Sequence, residues 1–202
     1  MVESGLFYST FIDPLLVKMR EKVGTQISEN EKVVDIACGT GAQVFELAKK
    51  SKFVTGVDLS ASMLKRANQT KNKTRVENVN FSICDATNLK IFTSKEFDVA
   101  TMSLALHQFP PALYTPVLNE MKRISQRIII VDYSVPLPQN IVGYGSRLAE
   151  FMAGKEHHGN FRKFYKNGGL ESILKKNDIS IEKSFYFAGN VFQLIVGSES
   201  TK

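Results

Sequence analysis

The chain has 202 residues, a formal net charge of +6 and 43% hydrophobic residues, which suits one good core and leaves no room for two ordinary domains. It contains no apolar run long enough to span a bilayer, no low-complexity tract and no secretory-signal pattern at its start, so a soluble cytoplasmic protein without a transmembrane segment is expected. Its two cysteines, Cys38 and Cys84, stand far apart and outside any Cys-x-x-Cys pair, which excludes a disulfide framework and a cysteine-built zinc site.

The first predicted element is a short helix over "DPLLVKMREKV". Asp13 suits its cap, Pro14 its first position, and Leu15, Leu16, Met19 and Val23 share one side. It reads as part of a lid formed by residues 1–30. Apolar β-type runs follow at Lys32 to Ala37, Phe53 to Asp58, Val79 to Cys84, Phe97 to Leu104 and Arg127 to Tyr133. Helical patterns at Ala42 to Ser51, Ala61 to Thr70 (opened by Ser60 as N-cap) and Ala112 to Gln126 separate most of them. Strands alternating with helices predict a parallel sheet. The stretch from Asp85 to Lys95 carries no decisive pattern.

Residues 135–169, rich in both aromatics and cations, are expected to cap a site. Two further β-type runs flank Gly189-Asn190, a turn pair that predicts an antiparallel edge. The densest basic run, Lys65 to Arg75, falls where a helix ends, and cations there suit the helix dipole without any nucleic acid. No nucleic-acid partner is expected.

The stretch "VVDIACGTG", Val33 to Gly41, is the first strand-to-helix turn, the usual anchor for a ligand in an open parallel sheet. Glycine at 39 and 41 leaves the backbone bare and permits dihedrals that other residues avoid. The following helix N-terminus offers N–H groups to an anion. The dinucleotide fingerprint Gly-x-Gly-x-x-Gly fails, because Val44 occupies the third glycine position and Asp35 would repel a pyrophosphate. A carboxylate beside free N–H groups suits a ligand carrying both ammonium and carboxylate.

With "FVTGVDLSASMLKRA", "FSICDATNL" and "FDVATMSLALHQF" following in order, the chain resembles the class I S-adenosylmethionine-dependent methyltransferases, in particular the small-molecule branch of the ubiquinone and menaquinone biosynthesis enzymes. The resemblance covers roughly Glu31 to Tyr133. It implies an α/β fold, a Rossmann-like three-layer sandwich around a mostly parallel seven-stranded sheet with an antiparallel C-terminal edge, spanning residues 1–202 as a single domain. It further implies that Asp35, Ala37, Gly39 and Gly41 line the methionine part of S-adenosylmethionine, and that Asp58 accepts both ribose hydroxyls. Leu59 and Met63 would pack on the adenine, Asp85 would accept from its amino group, Ala86 would offer its backbone N–H to the ring, and Ser103 would neighbour the cofactor. Asp58 could instead be a helix-capping acid, and Asp85 an ordinary turn aspartate.

Methyl transfer asks mainly for two reactants held close and aligned, with a base where the acceptor must lose a proton. His107, after the fourth strand, stands where this family places residues facing the acceptor, and a structural histidine bonding the loop backbone would occupy the same position. His157 and the adjacent His158 would point differently, so at most one is expected in the site. Tyr133 and Tyr8 are acceptor-pocket candidates by position. Phe161, Phe164 and Tyr165, beside Lys155, Arg162, Lys163 and Lys166, read either as a seat for an anionic aromatic acceptor or as a helix with one buried and one solvated face. No metal site is expected.

The Asp- or Asn-Pro-Pro-aromatic motif of the nucleic-acid amino-methyltransferases is absent after the fourth strand, and "MKRISQRIII" lacks the quinone enzymes' glycine-rich loop before the fifth. The expected function is therefore methyl transfer to a small molecule. The alternatives are a cofactor-binding regulatory or partner subunit without turnover and an RNA methyltransferase. Oligomeric state stays open, a homodimer included.

Overall fold

The computed structural model describes residues 13–140, 142–146 and 154–200, with side chains of the first helix from residue 16 onward. Tyr8, the capping group of Asp13 and the side chain of Leu15 therefore lie outside the described residues, as do residues 1–12 of the expected lid and 141 and 147–153 of the expected cap.

Helix α1 (Asp13–Gly24) leads into β1 (Lys32–Ile36), α2 (Ala42–Leu47), β2 (Phe53–Asp58), α3 (Ala61–Thr74) and β3 (Val79–Ile83). Then come β4 (Phe97–Ser103), two 3-10 turns at Leu106–Gln108 and Pro111–Leu113, α4 (Tyr114–Ile124) and β5 (Ser125–Tyr133). The chain closes with α5 (Lys155–Lys166), α6 (Gly169–Lys176), β6 (Ile179–Phe187) and β7 (Phe192–Glu199).

One seven-stranded sheet results, in the order β3-β2-β1-β4-β5-β7-β6. The β1–β2, β1–β4, β2–β3 and β4–β5 pairs are parallel, and β7 is antiparallel to both β5 and β6. Strand order reverses between β1 and β4, so the crevice beyond their carboxyl ends is the natural ligand position. The aliphatic strands are covered on both faces, as a parallel sheet requires: Val33, Val34, Val54, Val57, Val99, Ile128, Ile129 and Ile130 are all buried. Helix α4 places Tyr114, Val117, Leu118, Met121 and Ile124 in that core at helical spacing. Met19 and Val23 of α1 enter the same core, as their shared side predicts.

Element ends shift from expectation for local reasons. β1 stops at Ile36 and β4 at Ser103 because Ala37 (φ 57°) and Leu104 (φ 51°) turn left-handed. α2 ends at Leu47, and the Ser51 hydroxyl donates to the Leu47 carbonyl at 2.8 Å. α3 continues to Thr74, ended by left-handed Arg75 (φ 54°). α4 begins only at Tyr114 and closes at Ile124, where extended Ser125 donates its hydroxyl to the Met121 carbonyl at 2.8 Å, so β5 starts two residues earlier than its aliphatic pattern suggests.

Asp85 to Lys95 forms no regular element. Its backbone is instead clamped from α4: Glu120 accepts from the Leu89 N–H at 2.5 Å, and Arg123 donates to the carbonyls of Phe92 and Leu89 at 2.9 Å each. The β6–β7 connection turns at Ala188, Gly189 and Asn190, all with positive φ, which is the antiparallel edge anticipated around Gly189-Asn190.

Gly56 of β2 allows Cys38 and Phe81 to meet over the sheet, since a Cβ there would stand 2.8 Å from the Cys38 Sγ and 2.8 Å from the Phe81 ring. Gly56→Ala is expected to cost about 1–3 kcal/mol through overpacking. A lower urea midpoint with an unchanged slope reports that loss, and an unchanged midpoint contradicts the packing.

Candidate active site

The carboxyl ends of β1, β2 and β3 bring three carboxylates and the glycine turn together. In the turn Ala37, Gly39 and Gly41 all take positive φ, at 57°, 54° and 81°. Their reasons differ. A Cβ on Gly39 would meet nothing within 4 Å, so that surface is open to a ligand, whereas a Cβ on Gly41 would lie 2.8 Å from the Phe81 ring and 3.2 Å from Phe45. The bareness of Gly41 thus serves packing, and that of Gly39 leaves room.

Asp58, last in β2, fastens this turn. Its Oδ2 accepts the Gly39 N–H at 2.8 Å and its Oδ1 accepts the Ser60 N–H at 2.8 Å. Helix α3 is capped separately by the Ser60 hydroxyl, which accepts from Met63 N–H at 3.4 Å, so Asp58 is not the cap of that helix. Each carboxylate oxygen keeps lone-pair capacity beyond its backbone bond.

Asp35 sits one strand over and almost fully buried, at 2% exposure. The register pairs it with Thr101 of β4, whose hydroxyl donates to its Oδ1 at 2.6 Å. Burial pushes the Asp35 carboxyl up to about 7; the Thr101 hydrogen bond pulls it down, and the charge of Asp58 adds a further rise. Cys38, between them, has its thiol pushed up by burial and then by Asp35 and Asp58, which makes it an inert packing group.

Leu59 and Met63 follow Asp58 and are 70% and 41% exposed, and Ile83, paired with Asp58 across β2 and β3, is 60% exposed. These three apolar side chains stand uncovered at one end of the sheet. Asp85 is exposed, and its Oδ1 accepts the Thr87 N–H and the Thr87 hydroxyl, both at 2.8 Å. Those two bonds hold its carboxyl below the usual range. Ala86 packs partly buried against the core. Ser103 donates to the Gln43 Oε1 at 3.4 Å, and Gln43 Nε2 reaches the Arg20 carbonyl of α1 at 3.3 Å, so a buried glutamine couples the first helix to β4.

A second cluster lies beyond β4 and β5. His107, 2% exposed in the 3-10 turn, has Nδ1 2.6 Å from Asp132 Oδ1. Asp132 also accepts the His107 backbone N–H at 3.1 Å and the Tyr133 N–H at 2.7 Å. The Tyr133 ring stands 4.9 Å from the His107 ring and 5.4 Å from that of Phe161. From α5, His157 lies 5.5 Å and Phe161 6.0 Å from His107. Asn160 of α5 donates to the Gln108 carbonyl at 2.9 Å, fixing that helix over the turn. Phe161 and Phe164 face the core while Lys155, Arg162, Lys163 and Lys166 face solvent, so α5 has the two faces of an amphipathic helix.

Tyr133 and His157 thus gather around His107, apart from the Asp35–Gly39–Asp58 group. Sequence reasoning passed over Thr101, Gln43, Ile83 and Asp132. Asp132 left a trace, a lone carboxylate inside "IIIVDY"; Thr101 is visible only through strand register. Among the described residues no group of three or more His, Cys, Asp or Glu could hold a metal, and no helix is long and apolar enough to cross a membrane.

A family model described as a methyltransferase domain matches residues 27–176. The chain is 36% identical over 110 residues to a demethylmenaquinone methyltransferase of Corynebacterium kroppenstedtii, covering 53% of this chain and 44% of that protein. It thus spans less than half of that relative's length. It is 28% identical over 172 residues to the uncharacterized methyltransferase sll0829 of Synechocystis, covering 84% of this chain and 76% of the other. The fold is shared with the magnesium protoporphyrin IX methyltransferase of Synechocystis, solved with bound SAH, at TM-score 0.62 and 17% identity over 91% of this chain and 83% of that one.

Because Asp35 holds its proton up to about pH 7 in the folded chain, against an ordinary 3.8, it favours the fold fully below about pH 4 and loses that contribution as pH rises to 7. Asp35→Asn should therefore stabilise the ligand-free protein at pH 8 by about 2–4 kcal/mol and change little at pH 4. Urea unfolding at the two pH values checks this, and equal differences at both would contradict it.

Proposed function

The chain belongs to the methyltransferase-domain family, and on that premise we propose that it transfers a methyl group from S-adenosylmethionine to a small-molecule acceptor. The observation that carries this reading is Asp58, whose two oxygens are fixed by the Gly39 and Ser60 N–H groups beside the glycine turn and keep lone-pair capacity that a diol could use. The neighbouring groups fit the same ligand. Asp35 is a buried carboxyl whose proton an incoming ammonium would displace. The open face of Gly39 leaves room for the methionine part. Leu59, Met63 and Ile83 offer uncovered apolar area to an adenine, with Asp85 and the Ala86 N–H at its edge.

When bound, S-adenosylmethionine supplies a methyl group on a sulfonium centre, whose carbon–sulfur electrons return to sulfur on transfer. The chain's own part is to hold that group and to line the acceptor's position. His107, Tyr133 and His157 are assigned to the acceptor side, Asp35, Ala37, Gly39, Gly41, Asp58 and Ser103 to the cofactor side. In this reading residues 1–202 act as one domain in the cytoplasm, residues 1–30 as a lid and 135–169 as a cap. A demethylmenaquinone acceptor is named by the Corynebacterium relative, and the short turn before β5 argues for a different one here.

Calorimetry with S-adenosylhomocysteine tests the cofactor assignment. The parent should bind, and Asp58→Ala should weaken binding at least about tenfold, since a single hydrogen bond to a charged group is worth about 1.5–3 kcal/mol. Absence of heat with the folded parent would refute it. Incubation with S-adenosylmethionine and a metabolite extract should then release S-adenosylhomocysteine; binding without release would favour a regulatory subunit, and transfer to RNA instead would displace the small-molecule reading.

A further inference from the structure

We infer that Glu120 and Arg123 of α4 are positioning residues for the base of the bound nucleoside: the pair holds the loop after β3 so that Asp85 and the Ala86 N–H together select adenine. The inference rests on the S-adenosylmethionine reading above.

The loop has no regular structure of its own. It consists of two short turns, closed by the Asn88 N–H on the Asp85 carbonyl and by the Phe92 N–H on the Leu89 carbonyl, at 2.9 Å each. Leu89 is the joint between them, and its side chain is fully buried. The first turn carries the exposed Asp85, whose Oδ1 takes the Thr87 N–H and hydroxyl; among the described residues nothing donates to its Oδ2.

Both backbone groups of the joint are gripped from α4. Glu120 Oε2 accepts the Leu89 N–H at 2.5 Å, and Arg123 Nη2 donates to the Leu89 carbonyl at 2.9 Å. Arg123 Nη1 takes the Phe92 carbonyl, also at 2.9 Å. The two side chains are locked to each other by Nε–Oε1 and Nη2–Oε2 bonds of 2.8 Å, a planar fork that a lysine does not reproduce. The Arg123 hydrogen bond holds the Glu120 carboxyl below its usual range against the effect of burial, and the Leu89 N–H adds to it, so the pair is charged at neutral pH.

Closing the loop would need only its apolar anchors, Leu89 and the Phe92 ring, which stands edge-on to Phe97 at 4.9 Å. Apolar burial has no direction. Charge-assisted bonds on both sides of the joint do, and they fix where the turn bearing Asp85 points. A base reader needs that direction. Adenine presents an amino group to an acceptor and ring N1 to a donor, whereas hypoxanthine presents a carbonyl and an N–H in the same places. A carboxylate beside a backbone N–H separates the two bases only when both groups stand in register with the ring edge.

Calorimetry on the full chain with S-adenosylhomocysteine and S-inosylhomocysteine tests this. The parent should prefer the adenine compound by at least about tenfold, and Asp85→Ala should lose most of that preference. Arg123→Lys should cut the preference at least about threefold by weakening the adenine compound more than the other. In the Asp85→Ala background the same change should leave the preference where it is, because Arg123 acts through that carboxylate. A general loss of stability lowers both affinities alike and does not move their ratio. A parental ratio in Arg123→Lys, or an equal fall with and without Asp85, would overturn the inference. A parent that binds S-adenosylhomocysteine without preferring its base would also overturn it and leave the cofactor reading standing; a parent that binds neither compound would remove both. Should Arg123→Lys not fold, Glu120→Gln keeps an acceptor for the Leu89 N–H while losing the charge opposite Arg123, and the same ratio decides.

Discussion

The candidate cofactor site depends on one carboxylate bridging two loops. Asp58 ends β2 and reaches back to the N–H of Gly39 in the turn after β1 while holding the N–H of Ser60 at the start of α3. A turn with three left-handed residues in five positions has little intrinsic reason to keep one shape. The fixed acceptor across the strand supplies it. Packing does the rest from below, where Gly41 and Gly56 admit the Phe81 ring against the turn's underside. One face of the turn is thereby rigid and the Gly39 face stays open.

Three aspartates near the carboxyl ends of β2, β1 and β5 show how burial and donor count divide the work among chemically equal groups. Asp58 is partly exposed and tied by backbone donors. Asp35 is buried with one hydroxyl donor, which is too little to compensate a charge, so it retains its proton to about 7 and remains ready for a cation. Asp132 is buried and accepts the backbone N–H groups of His107 and Tyr133, with the His107 Nδ1 2.6 Å from its Oδ1. The first two flank the glycine turn after β1. The third stands beside the His107, Tyr133 and Phe161 rings beyond β4 and β5.

Much of this was legible from residue pattern. Aliphatic runs bounded by glycine and aspartate located five parallel strands, and Gly189-Asn190 located the antiparallel edge. The chemistry of "VVDIACGTG" and of Asp58 located the mouth of the crevice. Boundaries failed where single left-handed residues, Ala37, Leu104 and Arg75, end an element without a glycine to announce it. The Asp85 to Lys95 loop was opaque because its order comes from Glu120 and Arg123, some thirty residues away. Thr101 and Asp132 were missed for a related reason: their partners are set by strand register and by a side chain reaching across the sheet, neither of which leaves a periodicity in sequence.

Methyltransferase ancestry and this sheet explain where two small molecules could meet; the cradle of Asp35, Gly39 and Asp58 is the specific claim on which the account stands. A crystal structure of the full chain with S-adenosylhomocysteine tests it most directly. The account predicts both ribose hydroxyls on Asp58 with the Gly39 and Ser60 N–H bonds still in place, the ammonium at the Asp35 side of the turn, and the sulfur facing the His107 cluster. A nucleoside seated elsewhere on the protein, with Asp58 making only its two backbone bonds, would contradict it.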